Sequence, residues 1–141
     1  MQNSDLIKNF DYRIDDLAML LVDAPFYRGR FISDLAINFR EQSIDLKKNG
    51  IDSYFNIFHA SNNLFLAGNL FLIKDSYSAF TLDRHEDLIR TVGSMPFNEV
   101  SSFLGSCTTY LIKKDFFDGS ILNYLTTSKT FFDKAWSDFK K

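Results

Sequence analysis

Apolar residues recur at spacings of three and four along almost the whole chain, and this spacing is typical of amphipathic helices. Helix breakers are few, since only two prolines and six glycines occur among the 141 residues. A chain of this length ordinarily forms one domain. We therefore expect an all-α protein in which residues 1–141 fold as a single compact bundle of five to seven helices.

Strong local signals set the boundaries of the first two helices. Residues 4–23 carry a helical apolar stripe, and Pro25 ends it because proline lacks an amide hydrogen and disfavours helix in the residue before it. Pro25 suits the first turn of the following helix. Lys47 and Lys48 favour a helix carboxyl end, and the glycine of Asn49–Gly50 is a stop signal. The second helix is therefore expected to have Pro25 in its first turn and to stop at Asn49–Gly50.

The segment 54–80 is the most apolar part of the chain, and two structures compete for it. Its broad apolar stripe is typical of a buried central helix, in which Ala60, Ala67 and Gly68 would let a neighbouring helix approach closely. The alternative is an α+β fold with a β-hairpin at residues 64–73. Both arms of that hairpin lack alternation, and an isolated hairpin is only marginally stable. The pattern favours the helix.

The second half of the chain carries further helix signals. A helix is expected to begin at Thr81 or Asp83, because Asp83 and Glu86 have the spacing of a capping box. Pro96 starts the next helix, and Asp118 is positioned to cap the last stretch. That last stretch is interpreted as one helix or as two joined helices.

Charge and cysteine content limit the classes of partner and compartment. The net charge is −2, and it alternates in sign from −3 over 1–25 to +2 over 26–50, −3 over 51–100 and +2 over 101–141. Phosphate binding needs clustered Lys and Arg, so nucleic acid is not an expected partner. No apolar run reaches the ~18–20 residues that span a bilayer, so no membrane association is expected. The single cysteine, Cys107, favours a reducing, cytoplasmic compartment.

Groups that carry catalysis are scarce. His59 is expected on a helix surface or between helices, His85 is expected to be exposed and structural, and Cys107 falls on an apolar stripe as an inert buried thiol. No spacing typical of a metal site, an activated nucleophile or a phosphate-binding loop occurs. We therefore predict no catalytic residue, no metal and no cofactor, and a protein that is not an enzyme. Arg28 and Arg30 are expected to pair with acids of the first helix.

The aromatic content suggests a function in binding. The chain has 16 Phe, six Tyr and one Trp, and we expect some of these rings to exceed the capacity of the core and to mark an interface. The leading hypothesis is a small cofactor-free module that binds another protein as a regulator, adaptor, immunity-type or phage-type inhibitor. The acids of the first helix would add a docking surface for a basic partner. The candidate partner-binding residues are Phe131, Phe132, Trp136, Phe139, Asp11 and Asp15.

Two alternatives belong to other classes of function. The first is a homodimeric structural protein that buries the surplus aromatic rings between its two copies. The second is a bundle with an apolar ligand pocket near His59, formed with Phe55, Phe58 and Phe65.

Overall fold

The computed structural model describes residues 10–75 and 81–140, with side chains from Ile14 onward. Over these ranges the chain forms a compact bundle of helices without a strand, so the all-α prediction and the predicted number of helices are confirmed. Residues 4–9 of the predicted first helix lie outside the described ranges. The helices are α1 (Phe10–Val22), α2 (Pro25–Lys48), α3 (Tyr54–Lys74), α4 (His85–Gly93), α5 (Phe97–Lys113) and α6 (Gly119–Phe139).

The hairpin alternative for residues 64–73 is wrong, because α3 continues without interruption through both proposed arms. Gly68, proposed as a turn residue, instead faces the backbone of α2. A β-carbon on Gly68 would lie 2.8 Å from the Ser33 nitrogen, and one on Gly29 would lie 2.9 Å from the Leu72 nitrogen. The two glycines thus allow α2 and α3 to cross as a close antiparallel pair, which is the most extensive helix contact in the fold.

Hydrogen bonds between side chains and neighbouring helices show the directions of the other helices. Ser128 Oγ on α6 donates to the Ala60 carbonyl on α3 at 2.9 Å, and Asn56 Nδ2 donates to Asp138 Oδ2 at 2.9 Å, so these helices are antiparallel. Ser101 on α5 donates to Asp133 on α6 in a further antiparallel pair. The carboxyl ends of α2 and α6 and the amino ends of α3 and α5 therefore meet at one end of the bundle.

The helix termini agree with some of the local signals and not with others. α2 has Pro25 in its first turn and ends at Lys48, just before the predicted stop at Asn49–Gly50, and the Asp118 carboxylate caps α6 by accepting from the Ile121 amide at 3.1 Å. The predicted capping box is not formed, because α4 begins at His85 and the residue before it makes no side-chain capping bond. The final stretch is one continuous helix, α6.

Two helices end in the same backbone motif with different residues at the key position. Gly50 follows α2 with φ of 68°, and Asp115 follows α5 with φ of 60°. After each of them, the next amide donates across the helix end, from Ile51 to the Leu46 carbonyl and from Phe116 to the Leu111 carbonyl. Glycine is the residue that adopts this left-handed conformation without a steric penalty.

Replacing Asp115 by glycine is therefore expected to raise the free energy of unfolding by about 0.5 kcal/mol, because the relief of the left-handed penalty exceeds the added entropy of the unfolded chain. Gly50→Ala is the reciprocal control, and it should lower stability by about 1 kcal/mol since no atom crowds that position. Urea unfolding of both variants measures the two effects. A less stable Asp115→Gly protein would contradict this interpretation of the motif.

The core absorbs many of the aromatic rings. Tyr27, Phe39, Phe103 and Phe132 are among the largest fully buried side chains, and the rings of Phe39 and Phe132 meet edge to face at 4.8 Å between centroids. Cys107 is also buried, as predicted, and burial raises the pKa of its thiol. In the part of the chain that the structure describes, no helix has both the length and the apolar character to cross a membrane.

Candidate functional site

One end of the bundle keeps a group of aromatic side chains partly or largely exposed. It is the end where α2 and α6 finish and where α3 and α5 begin. Phe55 is 54% exposed and Phe139 is 62% exposed, whereas the other rings are half-buried beside them. We call this surface the aromatic end, and it consists of Tyr54, Phe55, Phe58, Phe97, Phe131, Trp136 and Phe139.

Contacts between rings join the helices of the aromatic end. The imidazole of His59 on α3 stacks on Phe131 of α6 at 5.2 Å between centroids and meets the edge of Phe55 at 4.4 Å. On the α5 side, Phe139 lies 6.3 Å from Phe97 and stacks on Trp136 at 6.0 Å. The predicted position of His59 between helices is thus observed, and the rings form a preorganised surface.

A groove of about 310 Å³ opens at the aromatic end, between the end of α2 and the start of α3. Its walls are mainly apolar, and its charged group is the ammonium of Lys47. The Ser43 hydroxyl donates to the Arg40 carbonyl of its own helix at 2.6 Å, so it needs no hydrogen-bond acceptor from a ligand. The groove is lined by Ser43, Ile44, Lys47, Tyr54, Phe55, Phe58 and His59.

Four cationic side chains lie over rings of the aromatic end. Lys47 Nζ is 5.6 Å from the Tyr54 centroid, and the Arg40 guanidinium is 5.7 Å from that of Phe58. On α6, Lys134 lies over Phe131 at 5.1 Å and Lys140 over Trp136 at 5.9 Å. Such contacts at exposed sites contribute about 0.5–1 kcal/mol each. Cations therefore accompany the rings on each side of the aromatic end.

The candidate residues from the sequence are only partly brought together. Phe131, Trp136 and Phe139 lie at the aromatic end, but Phe132 is 0% exposed and supports this surface from the core. Asp15 lies on α1, where it accepts a hydrogen bond from Ser106 at 2.6 Å. The side chain of Asp11 lies outside the described residues.

Sequence reasoning named Phe55, Phe58, His59 and Phe65 for a ligand pocket, and the structure places the first three at the groove but not Phe65. It missed Ile44, Tyr54 and Phe97 and the cations over the rings. One signal in the sequence could have identified this end of the bundle: Tyr54 and Phe55 come shortly after the helix break at Gly50. Their proximity to α6 follows only from the antiparallel packing of α3 and α6.

A separate cluster of polar side chains, which includes His85, lies on the other flank of α2. The expectation that His85 is exposed is wrong. His85 is 9% exposed. Its Nδ1 is 2.8 Å from the Tyr27 hydroxyl and its Nε2 is 2.7 Å from Asp34 Oδ2. Tyr27 and Asp34 belong to α2, so His85 fastens the first turn of α4 to that helix.

The cluster forms one wall of a cavity of about 340 Å³. Both nitrogens of the His85 imidazole already make hydrogen bonds within the cluster. In the neutral form, Nε2–H donates to Asp34 and Nδ1 accepts from Tyr27, so neither nitrogen is left for a ligand. Asp34 also accepts from Arg30 Nε at 2.9 Å. The cluster is a structural brace, and in the described residues no group of three His, Cys, Asp or Glu side chains is placed to hold a metal ion.

Within the described residues, Arg28 and Arg30 pair with acids outside the first helix, in contrast to the expected pairing. Arg30 pairs within its own helix, and Arg28 donates from Nε and Nη2 to both carboxylate oxygens of Asp75 at 2.6 and 2.7 Å. The guanidinium lies between Phe71 and Phe116, at 4.8 and 5.2 Å from their centroids. This buried arrangement ties the end of α3 to the start of α2.

Alkaline pH is expected to destabilise the protein, because burial, with a contribution from Asp34, raises the pKa of Tyr27 and burial raises that of Cys107. Each group stays protonated in the folded state while the unfolded chain ionises near the ordinary values of 9.0 for the thiol and 10.0 for the phenol. The stabilisation that these two protonated groups contribute is complete below pH 9. Above that pH the free energy of unfolding falls by up to about 1.4 kcal/mol per pH unit and group.

Thermal unfolding between about pH 7 and 11 tests this linkage. The Tyr27→Phe variant should start less stable, because His85 loses a hydrogen bond, but its stability should fall less steeply above pH 10. Equal slopes for the variant and the wild type would show that the buried phenol is not responsible.

Comparison of the chain with models of protein families, with curated proteins and with solved structures finds no match.

Proposed function

We propose that this chain is a protein-binding module and that the aromatic end is its contact surface. The observation that carries the proposal is the exposure of Phe55 and Phe139 at an end to which four helices contribute aromatic or aliphatic side chains. Aromatic residues, together with Arg, are enriched at protein interfaces and supply much of their binding energy. A folded chain gains little by leaving such rings in water.

The preorganised rings support the same conclusion. His59, Phe131 and Trp136 are each held by ring contacts, so little side-chain freedom remains to be lost on binding. Among the roles that such a module serves, we propose that of a regulator, adaptor or inhibitor, including the immunity and phage types, acting in the cytoplasm. The buried free thiol of Cys107 is consistent with a reducing compartment.

The Phe55→Ser/Phe139→Ser double variant is expected to lose the partner while it stays folded. Both rings are largely exposed, so their removal should change the free energy of unfolding by less than about 1 kcal/mol. Phe117→Ser is the matched control, because Phe117 is 73% exposed and lies away from the aromatic end, between α5 and α6.

Affinity purification from cells that naturally contain the chain measures the effect. We expect the wild type and Phe117→Ser to retain the same stoichiometric partner and the double variant to lose it. Equal retention by all three proteins would reject the aromatic end as the contact surface. Light scattering tests the homodimer alternative. If the wild type had the mass of two chains and the double variant the mass of one, the partner would be a second copy of the chain and not a foreign protein.

A further inference from the structure

We propose that the groove at the aromatic end binds an amphipathic helix of another protein, one that presents acidic side chains beside its apolar stripe. The inference rests on the proposed function and names the chemistry of the partner. It follows from the shape of the groove and from the distribution of ion pairs over the bundle.

The shape of the groove fits the apolar stripe of a helix. Phe55 and Phe58 form one wall from the first turns of α3, and Ile44 forms the other from the last turns of α2. Ile44 and Phe55 are both exposed at the mouth of the groove. An amphipathic helix inserts apolar side chains one turn apart into grooves of this kind.

Among the described residues, the cations at the groove have no acidic partner. Arg40 and Lys47 lie seven residues apart on one face of α2, and neither forms an ion pair within residues 14–75 and 81–140; Lys134 and Lys140 of α6 share this property. At the opposite end of the bundle, Lys74 pairs with Asp118 and Lys114 with Asp23, whereas Lys113 forms no ion pair among the described residues.

Charge complementarity therefore selects an acidic partner. A carboxylate at the rim of the groove gains a cation without breaking an existing ion pair. Asp45 and Asp52 are exposed and lie within five residues of Lys47 in the sequence, but neither lines the groove.

The probe for this inference is a synthetic helical peptide of about 18 residues, with Leu and Phe at positions i, i+3, i+4 and i+7 and Glu on the flanks. Its affinity for the wild type is measured by fluorescence anisotropy at low and high salt. The Arg40→Glu/Lys47→Glu double variant should weaken binding at least about tenfold. Lys113→Glu is the matched control, since Lys113 also lies over a ring, Tyr110, but lies at the far end of α5.

The inference is overturned if the acidic peptide does not bind, if its Lys-substituted analogue binds as tightly, or if Lys113→Glu weakens binding as much as the groove variant. It is also overturned if vesicles with about 30% phosphatidylserine bind the wild type but do not bind the Arg40→Glu/Lys47→Glu variant. In each of these cases the proposed function still stands if the affinity purification recovers a partner whose retention requires Phe55 and Phe139. The proposed function fails if retention of the partner does not require these two rings.

Discussion

Replacing Gly68 by alanine is expected to lower the free energy of unfolding by about 3 kcal/mol, and replacing it by valine should prevent folding, since ordinary domains are stable by only about 5–15 kcal/mol. A β-carbon at this position would lie 2.4 Å from Ser33 Oγ, 2.8 Å from the Ser33 nitrogen and 3.0 Å from its α-carbon. Two of these atoms are backbone, so the change cannot be absorbed by a side-chain rotation. The α2–α3 pair would have to separate.

Gly105→Ala is the matched control for this substitution. Gly105 is also helical, but its β-carbon would approach only the flexible end of Lys129, at 3.1 Å. We expect this variant to be as stable as the wild type or more stable by up to about 1 kcal/mol, because alanine favours helix. Circular dichroism during urea unfolding measures both variants. If Gly68→Ala were as stable as Gly105→Ala, the close crossing of α2 and α3 would be incorrect.

Arg28→Met is expected to lower the free energy of unfolding by about 3–5 kcal/mol, because it leaves the Asp75 carboxylate buried without its cation. The two side chains are only 11% and 6% exposed. Restoring neutrality in the Arg28→Met/Asp75→Leu double variant should recover much of the loss, since well-packed apolar pairs often replace a buried ion pair without cost.

The Arg28–Asp75 interaction is measured as the coupling energy of a double-mutant cycle from urea unfolding. Arg30→Met, two residues further along α2, is the control. Its ion pair with Asp34 is half-exposed, so the loss should be below about 1 kcal/mol. If the double variant were as unstable as the sum of the two single variants, stacking on Phe71 and Phe116, not the ion pair, would account for the role of Arg28.

Much of the fold was predictable because its signals are local. Proline fixes its own backbone and removes a donor, so the start of α2 at Pro25 follows from one residue. Its end before Gly50 follows from the need for a left-handed residue there, as the φ of 68° shows. Residues 64–73 were ambiguous, since Gly68 serves equally well in a turn and at a helix crossing, and only the long-range contact with Ser33 distinguishes them.

The polar contacts were not predictable, because their partners are distant in sequence. Tyr27 and Asp34 lie 58 and 51 residues from His85, and Asp75 lies 47 residues from Arg28. Burial along α6 shows a similar limit. Phe132 and Phe139 share one face of the helix two turns apart, yet the first is in the core and the second is exposed because the core ends between them.

Photocrosslinking in living cells tests the central claim, that the aromatic end contacts another protein, most directly. The photoreactive analogue p-benzoylphenylalanine replaces Phe139 in one protein and Phe117, which is at least as open to solvent but lies elsewhere, in another. The account predicts a discrete adduct of the chain with a foreign protein from position 139 and none from position 117. The absence of an adduct at 139, or the same adducts from both positions, would contradict it.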